Sequence, residues 1–131
     1  MDQKVLLAIS RNQARIWSHG LEVNTPPVVV NHWVTHHGFG KVTHRLFGYL
    51  TRNQLSPIFA ERIIALIVGA EELYLVGAIS DESKTLSSFV IHLGAHHPAI
   101  AEQVRRVSEI DLVNMSDAEI MAEGRRVFRL T

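Results

Sequence analysis

The chain opens with an unbroken apolar run over residues 5–9, then polar Arg11, Asn12 and Gln13, then the alternation Ala14-Arg15-Ile16-Trp17. A continuous run of that length suits a strand covered on both faces, whereas period-two alternation suits a strand with one buried face. Asn12 tolerates left-handed backbone, so the intervening turn is tight and the two strands pair antiparallel. His19 and Gly20 make the next turn, and 21–30 supplies a third strand. Pro26 and Pro27 cannot donate to a ladder, which puts that strand at an edge or gives it a bulge.

Residues 31–52 are the least regular stretch, with Gly38, Gly40 and Gly48, and read as a long loop with a short helical piece over 46–50. The period then changes. Ser56-Pro57 is a helix cap followed by proline at the first helical position, and Phe59, Ile63, Leu66, Ile67 and Ala70 follow at helical spacing, the helix ending near Gly69. Residues 73–76 form a short buried strand closed by Gly77. Asp81 and Glu82 open the next helix, where carboxylates suit the positive end of the dipole, and Leu86, Phe89, Val90 and Leu93 make its apolar stripe. His97-Pro98 restarts the chain into a short helix over 99–103. Residues 107–110 are a strand, its start within 104–107 ambiguous. Ser116-Asp117-Ala118-Glu119 is a capping box for a last helix on which Ile120, Met121, Gly124, Val127 and Phe128 share a face.

Three strands in an antiparallel meander, then alternating helices and strands, make a mixed α/β sheet on the ribonuclease H-like plan. A doubly wound open sheet needs a helix between the early strands, and nothing in 5–30 has helical period.

Composition narrows the chemistry more than the fold. The 131 residues suit one domain, 1–131, and the absence of cysteine excludes disulfides and thiolate metal sites. The run 5–9 is too short for a signal-peptide core, and the apolar stretch 63–70 is flanked by Glu61-Arg62 and Glu71-Glu72, so the expectation is a cytoplasmic chain with no membrane span. Thirteen basic residues balance thirteen acidic ones, which gives no global attraction to nucleic acid. The distribution is less even: between Glu22 and Glu61 no acidic residue occurs, while Lys41, Arg45, Arg52 and four histidines do. A loop that merely lacks carboxylates accounts for this interval as well as a binding segment does.

Several of these segments together carry a resemblance. They are Leu6-Leu7-Ala8-Ile9 with Ala14-Arg15-Ile16-Trp17, and Glu72-Leu73-Tyr74-Leu75-Val76-Gly77 with Lys84 downstream. The most specific is His92-Leu93-Gly94-Ala95-His96-His97-Pro98-Ala99-Ile100-Ala101, leading to Asp111, Ser116 and Arg125-Arg126-Val127-Phe128. The chain resembles the small bacterial translational machinery proteins, relatives of host-attachment proteins and of the central domain of archaeo-eukaryotic peptide-release factors. The resemblance covers most of the chain and is weakest over 31–54. It implies a ribonuclease H-like fold and a partner in ribosomal or transfer RNA. In release factors the loop after the third strand carries Gly-Gly-Gln, which positions water in the peptidyl-transferase centre. The similar place here reads Gly38-Phe39-Gly40-Lys41-Val42-Thr43-His44-Arg45. With Arg45 on the arginine after that motif, Gly40 takes its second glycine and Lys41 replaces its glutamine, so the resemblance does not extend to release-factor hydrolysis. Related stalled-ribosome factors share the fold and also lack the motif.

The remaining chemistry can be weighed residue by residue. Two-metal phosphodiester cleavage needs clustered carboxylates, and the first strand has none between Lys4 and Glu22. His32, His36, His37 and His44 form one group and His92, His96 and His97 another. Adjacent pairs such as His36-His37 and His96-His97 aim poorly at one ion, so structural or solvent-facing histidines are the expectation and no metal or cofactor is assigned. A small hydrolase with a metal on the loop histidines is the alternative. No Gly-x-Ser-x-Gly elbow supports nucleophilic catalysis, and no catalytic residue is assigned. The turn 38–41 can cradle phosphate through backbone amides, with Lys41 and Arg45 adding charge, although a bare Gly-x-Gly equally marks a flexible loop. Trp17 on a strand reads as core, and Trp33 is the better candidate for stacking on a base. The candidate RNA-binding residues are therefore Trp33, Gly40, Lys41, His44, Arg45 and Arg52. A further alternative is a homo-oligomer formed through an edge strand over 104–110.

Overall fold

A computed structural model of the chain describes residues 3–18, 21, 25–31, 55–81 and 84–129. Its strands are β1 (Lys4–Ile9), β2 (Gln13–Trp17), β3 (Val28–Asn31), β4 (Glu72–Ala78) and β5 (Val104–Ile110). Its helices are α1 (Pro57–Ile67), α2 (Thr85–His96), the short α3 (Pro98–Ala101) and α4 (Asp117–Val127). The sheet runs β3-β2-β1-β4-β5. β1 pairs antiparallel with β2 from Leu6↔Trp17 to Ile9↔Ala14, and β2 pairs antiparallel with β3. On its other side β1 pairs parallel with β4, from Lys4↔Glu72 to Ile9↔Gly77, and β4 pairs parallel with β5. This is the α/β fold expected from sequence: a three-strand antiparallel meander, then alternating helices and strands in one mixed sheet.

The apolar run of β1 has the cause inferred for it. Val5 to Ile9 are each at most 1% exposed because the strand lies inside the sheet and both of its faces are covered. Val5, Leu7 and Ile9 meet Phe59, Ile63 and Ile67 of α1 and Phe89 and Leu93 of α2 on one face. Leu6 and Ala8, with Trp17, Tyr74 and Val76, meet Ile120, Met121 and Phe128 around α4 on the other. Burying several large side chains on each face, at about 1.5–3 kcal/mol apiece, is what holds the three layers together. Trp17 is core, as its strand position predicts.

Helix ends follow local chemistry. Ser56 Oγ accepts from the Phe59 amide and Pro57 occupies the first turn. The Ser116 hydroxyl accepts from the Glu119 amide at 3.2 Å, while Glu119 accepts from the Ser116 N–H at 2.9 Å, completing the capping box. Several expected boundaries move, the short helix among them, which spans Pro98–Ala101 and not 99–103. The third strand covers only Val28–Asn31, not 21–30: Pro26 and Pro27 stand outside the ladder, and Leu21, at φ 54°, is a buried turn residue whose carbonyl accepts from Arg125. Gly77 lies within β4 and does not close it. Helix α2 begins at Thr85, after Lys84 at φ 55°, and Asp81 acts from outside by accepting the Thr85 amide at 3.3 Å. The expected helical piece over 46–50 lies outside the described residues. Among the described residues no helix is long and apolar enough to cross a membrane.

Candidate functional site

The helices α1 and α2 lie on the same face of the sheet, and each turns one polar position toward the other. Glu61 follows the buried pair Phe59 and Ala60 on α1 and is itself exposed. His92, next to the buried Leu93, lies near the end of α2 with a side chain 17% exposed. The helix stops four residues later because Pro98 disfavours helical backbone at the residue before it. His97 accordingly leaves the helix at φ −139°, ψ 61°, while its N–H still caps the Leu93 carbonyl at 2.8 Å. That departure carries the His97 ring back beside His92 and over α1.

The two imidazoles converge on one carboxylate. His92 Nε2 lies 2.7 Å from Glu61 Oε2, and His97 Nε2 lies 2.9 Å from the same oxygen and 3.1 Å from Oε1. An ionised carboxylate only accepts, so the protonated ring nitrogen facing it is Nε2 in both histidines. These hydrogen bonds, His92 first and His97 second, hold the Glu61 carboxyl below the ordinary carboxylate range. The His96 ring leans against that of His92 with centroids 4.7 Å apart. Glu61, His92 and His97 thus offer one oxygen and two nitrogens, all within 4.8 Å of one another. A one-carboxylate, two-imidazole set is one that zinc and its neighbours in the first transition row accept.

Sequence reasoning grouped His92, His96 and His97 but read them as structural or solvent-facing, and it missed the convergence of His92 and His97 on Glu61. The usable signal was the proline: His97-Pro98 marks a helix end, which frees His97 from helical spacing and lets it join His92. Its partner Glu61 carried no local signal, because only the packing of α1 beside α2 brings it there.

A second concavity, of 280 Å³, opens at the carboxyl ends of β1 and β4, lined by Ser10, Gln13, Arg15, Ala78, Leu112 and Met115 among others. Ligands commonly bind there in open α/β sheets. Among the described residues its lining contains no carboxylate, the oxygen ligand on which a two-metal nuclease centre is built, and Arg15 Nη1 donates to Asp117 Oδ1 at 2.7 Å. The candidate RNA-binding residues Trp33, Gly40, Lys41, His44, Arg45 and Arg52, and the histidines of the loop alternative, all lie outside the described residues.

No family model matches the sequence, and no curated protein matches it. Among solved structures, the fold matches Pelota from Archaeoglobus fulgidus with a TM-score of 0.56 and 10% sequence identity. The match covers 98% of this chain and 34% of the Pelota chain, so the chain spans about a third of that protein's length. At that identity the likeness is one of fold. The Archaeoglobus Pelota structure reveals inter-domain structural plasticity, a property of that larger chain.

Proposed function

We propose that this chain is a non-catalytic binding module acting around translation, which contacts ribosomal or transfer RNA through the segment 31–54. The observation that carries the reading is the fold likeness to Pelota over 98% of the chain, which agrees with the resemblance of the sequence to release-factor central domains. On this reading 1–131 is one such domain, working in the cytoplasm. Lys41, Arg45 and Arg52 supply phosphate contacts from an interval without a carboxylate, Trp33 stacks on a base, and Gly40 and His44 complete the contact set. Lys41 standing where release factors carry glutamine favours binding over hydrolysis.

Co-sedimentation of the purified chain with ribosomes across a salt series tests the proposal. Saturable binding that weakens steeply with salt is expected. Lys41→Ala with Arg45→Ala removes two phosphate partners and should flatten the log–log salt slope by about 1.5. Circular dichroism should show the double variant folded. Binding that is unchanged in that variant overturns the assignment of the segment, and no binding even at low salt overturns the translation reading.

A further inference from the structure

We infer that Glu61, His92 and His97 form a zinc-binding site that clasps α1 to the corner between α2 and α3. The inference does not depend on the RNA-binding reading, which places its residues elsewhere in the chain.

A simple ion pair does not account for the arrangement well. One carboxylate needs one imidazolium to balance it, yet two rings from either side of a helix end turn the same nitrogen, Nε2, toward the same oxygen. Converging donors of two chemical types are what a metal site requires. Tetrahedral zinc bonded at about 2.0–2.1 Å sets its ligand atoms roughly 3.3 Å apart. The nitrogen–oxygen separations of 2.7 and 2.9 Å therefore open by only a few tenths of an ångström. Glu61 has the freedom for that movement, since its side chain is 49% exposed. The histidines are more enclosed, at 17% and 29%, and keep the rings oriented. Zinc takes the place of the two bridging protons: each ring binds as a neutral imidazole that carries its single proton on Nδ1, a neutral ring by changing tautomer and an imidazolium by releasing one proton to solvent, so each Nε2 lone pair faces the ion. Three protein ligands leave the fourth tetrahedral position to water.

Nothing in the site calls for the soft thiolates that select copper(I), and the mixed nitrogen–oxygen set is poor for magnesium or calcium, which prefer oxygen alone. Zinc is the occupant to test first. Its expected effect is structural: an ion joining two helices that pack on the same sheet face stabilises the folded chain, because the unfolded chain has no such preformed site.

The test is calorimetric titration of ZnCl2 into the untagged full chain in metal-free buffer, with thermal melts alongside. One zinc equivalent is expected, with Tm rising on the order of 10 °C at a hundredfold excess over Kd. Glu61→Gln and His97→Gln should each weaken binding at least about tenfold, since even outer-shell changes at such sites cost that much. Glu61→Gln alters an exposed helix position and keeps the fold, so its result is readable even if a histidine variant misfolds. His36→Ala with His37→Ala serves as the control and should bind zinc as the unaltered chain does. Zinc uptake that is absent in the unaltered chain overturns the site. So does uptake retained in Glu61→Gln and His97→Gln but lost in the His36/His37 variant.

Discussion

At the scale of single residues, two glycines show how differently the same side chain is used. A Cβ on Gly77 would meet Leu86 Cβ at 2.7 Å and Leu86 Cδ2 at 2.9 Å. Leu86 sits on the first turn of α2, so the absence of a side chain at Gly77 lets that helix settle on β4. The obstructing Cβ is fixed to the backbone and cannot swing aside. Gly77→Ala should therefore displace α2 and cost about 1–3 kcal/mol, as overpacking does. A Cβ on Gly94, within α2, meets nothing within 4 Å. Gly94→Ala should accordingly stabilise the protein by about 0.5–1 kcal/mol, because alanine loses less backbone freedom in a helix. Denaturant unfolding of the two variants reads both numbers from the midpoints at constant m. Equal destabilisation by both would contradict the close approach at Gly77.

Among the elements, α4 is the one whose start is most completely specified by its own residues. Replacing Ser116 with alanine removes the acceptor for the Glu119 amide and should cost about 1 kcal/mol. The same box makes a pH prediction. The backbone N–H of Ser116, followed by its hydroxyl, holds the Glu119 carboxyl below its ordinary value of 4.5. A depressed folded value means that the charge stabilises the helix fully above the ordinary value and loses that effect as pH falls through the lower, folded one. Glu119→Gln keeps the reach to the Ser116 N–H but not the charge. Its Tm deficit relative to the unaltered chain, measured from roughly pH 7 down to pH 3, should be constant at first and then shrink. A deficit that grows on acidification would contradict the assignment. The same local chemistry explains what was legible in sequence. Ser56-Pro57 and the Ser116/Glu119 box carry their instructions within four residues, and the apolar run 5–9 announces a strand buried on both faces. Elsewhere the instruction is not local. Lys84 adopts positive φ without the glycine or asparagine that usually marks it, so the start of α2 at Thr85 was hidden. Leu21 is buried on the α4 face from within a turn, so its apolar character was mistaken for strand pattern. Glu61 meets His92 and His97, 31 and 36 residues further along the chain, only because the helix α1 packs beside the end of α2.

For the whole molecule, the open question is what the edges of the sheet permit. β5 is an edge strand of the described sheet, and Val107 and Ile91, 46% and 71% exposed, line an open groove of 390 Å³ between it and α2. This is the feature that self-association through 104–110 would use. Its size argues against a stable pairing. A specific interface buries about 800 Å² on each partner from some 20–30 residues, and two exposed apolar side chains supply a small part of that. The strand is also guarded in the ways that keep edges apart. Arg105, Arg106 and Glu109 are exposed along it, and Arg105 bridges to Glu72 at 3.3 Å. The register shifts between Leu73↔Val104 and Tyr74↔Arg106, which leaves Arg105 as an extra residue in a bulge. A second β5 approaching antiparallel would meet this break before it had paired one strand's length, and straightening the bulge would cost the Arg105–Glu72 bridge. The expected outcome is a single monomeric mass in sedimentation velocity from micromolar to hundreds of micromolar, unaltered in Val107→Lys. A mass that rises with concentration in the unaltered chain and returns to the monomer in Val107→Lys would show that the apolar strip outweighs the charges and the bulge.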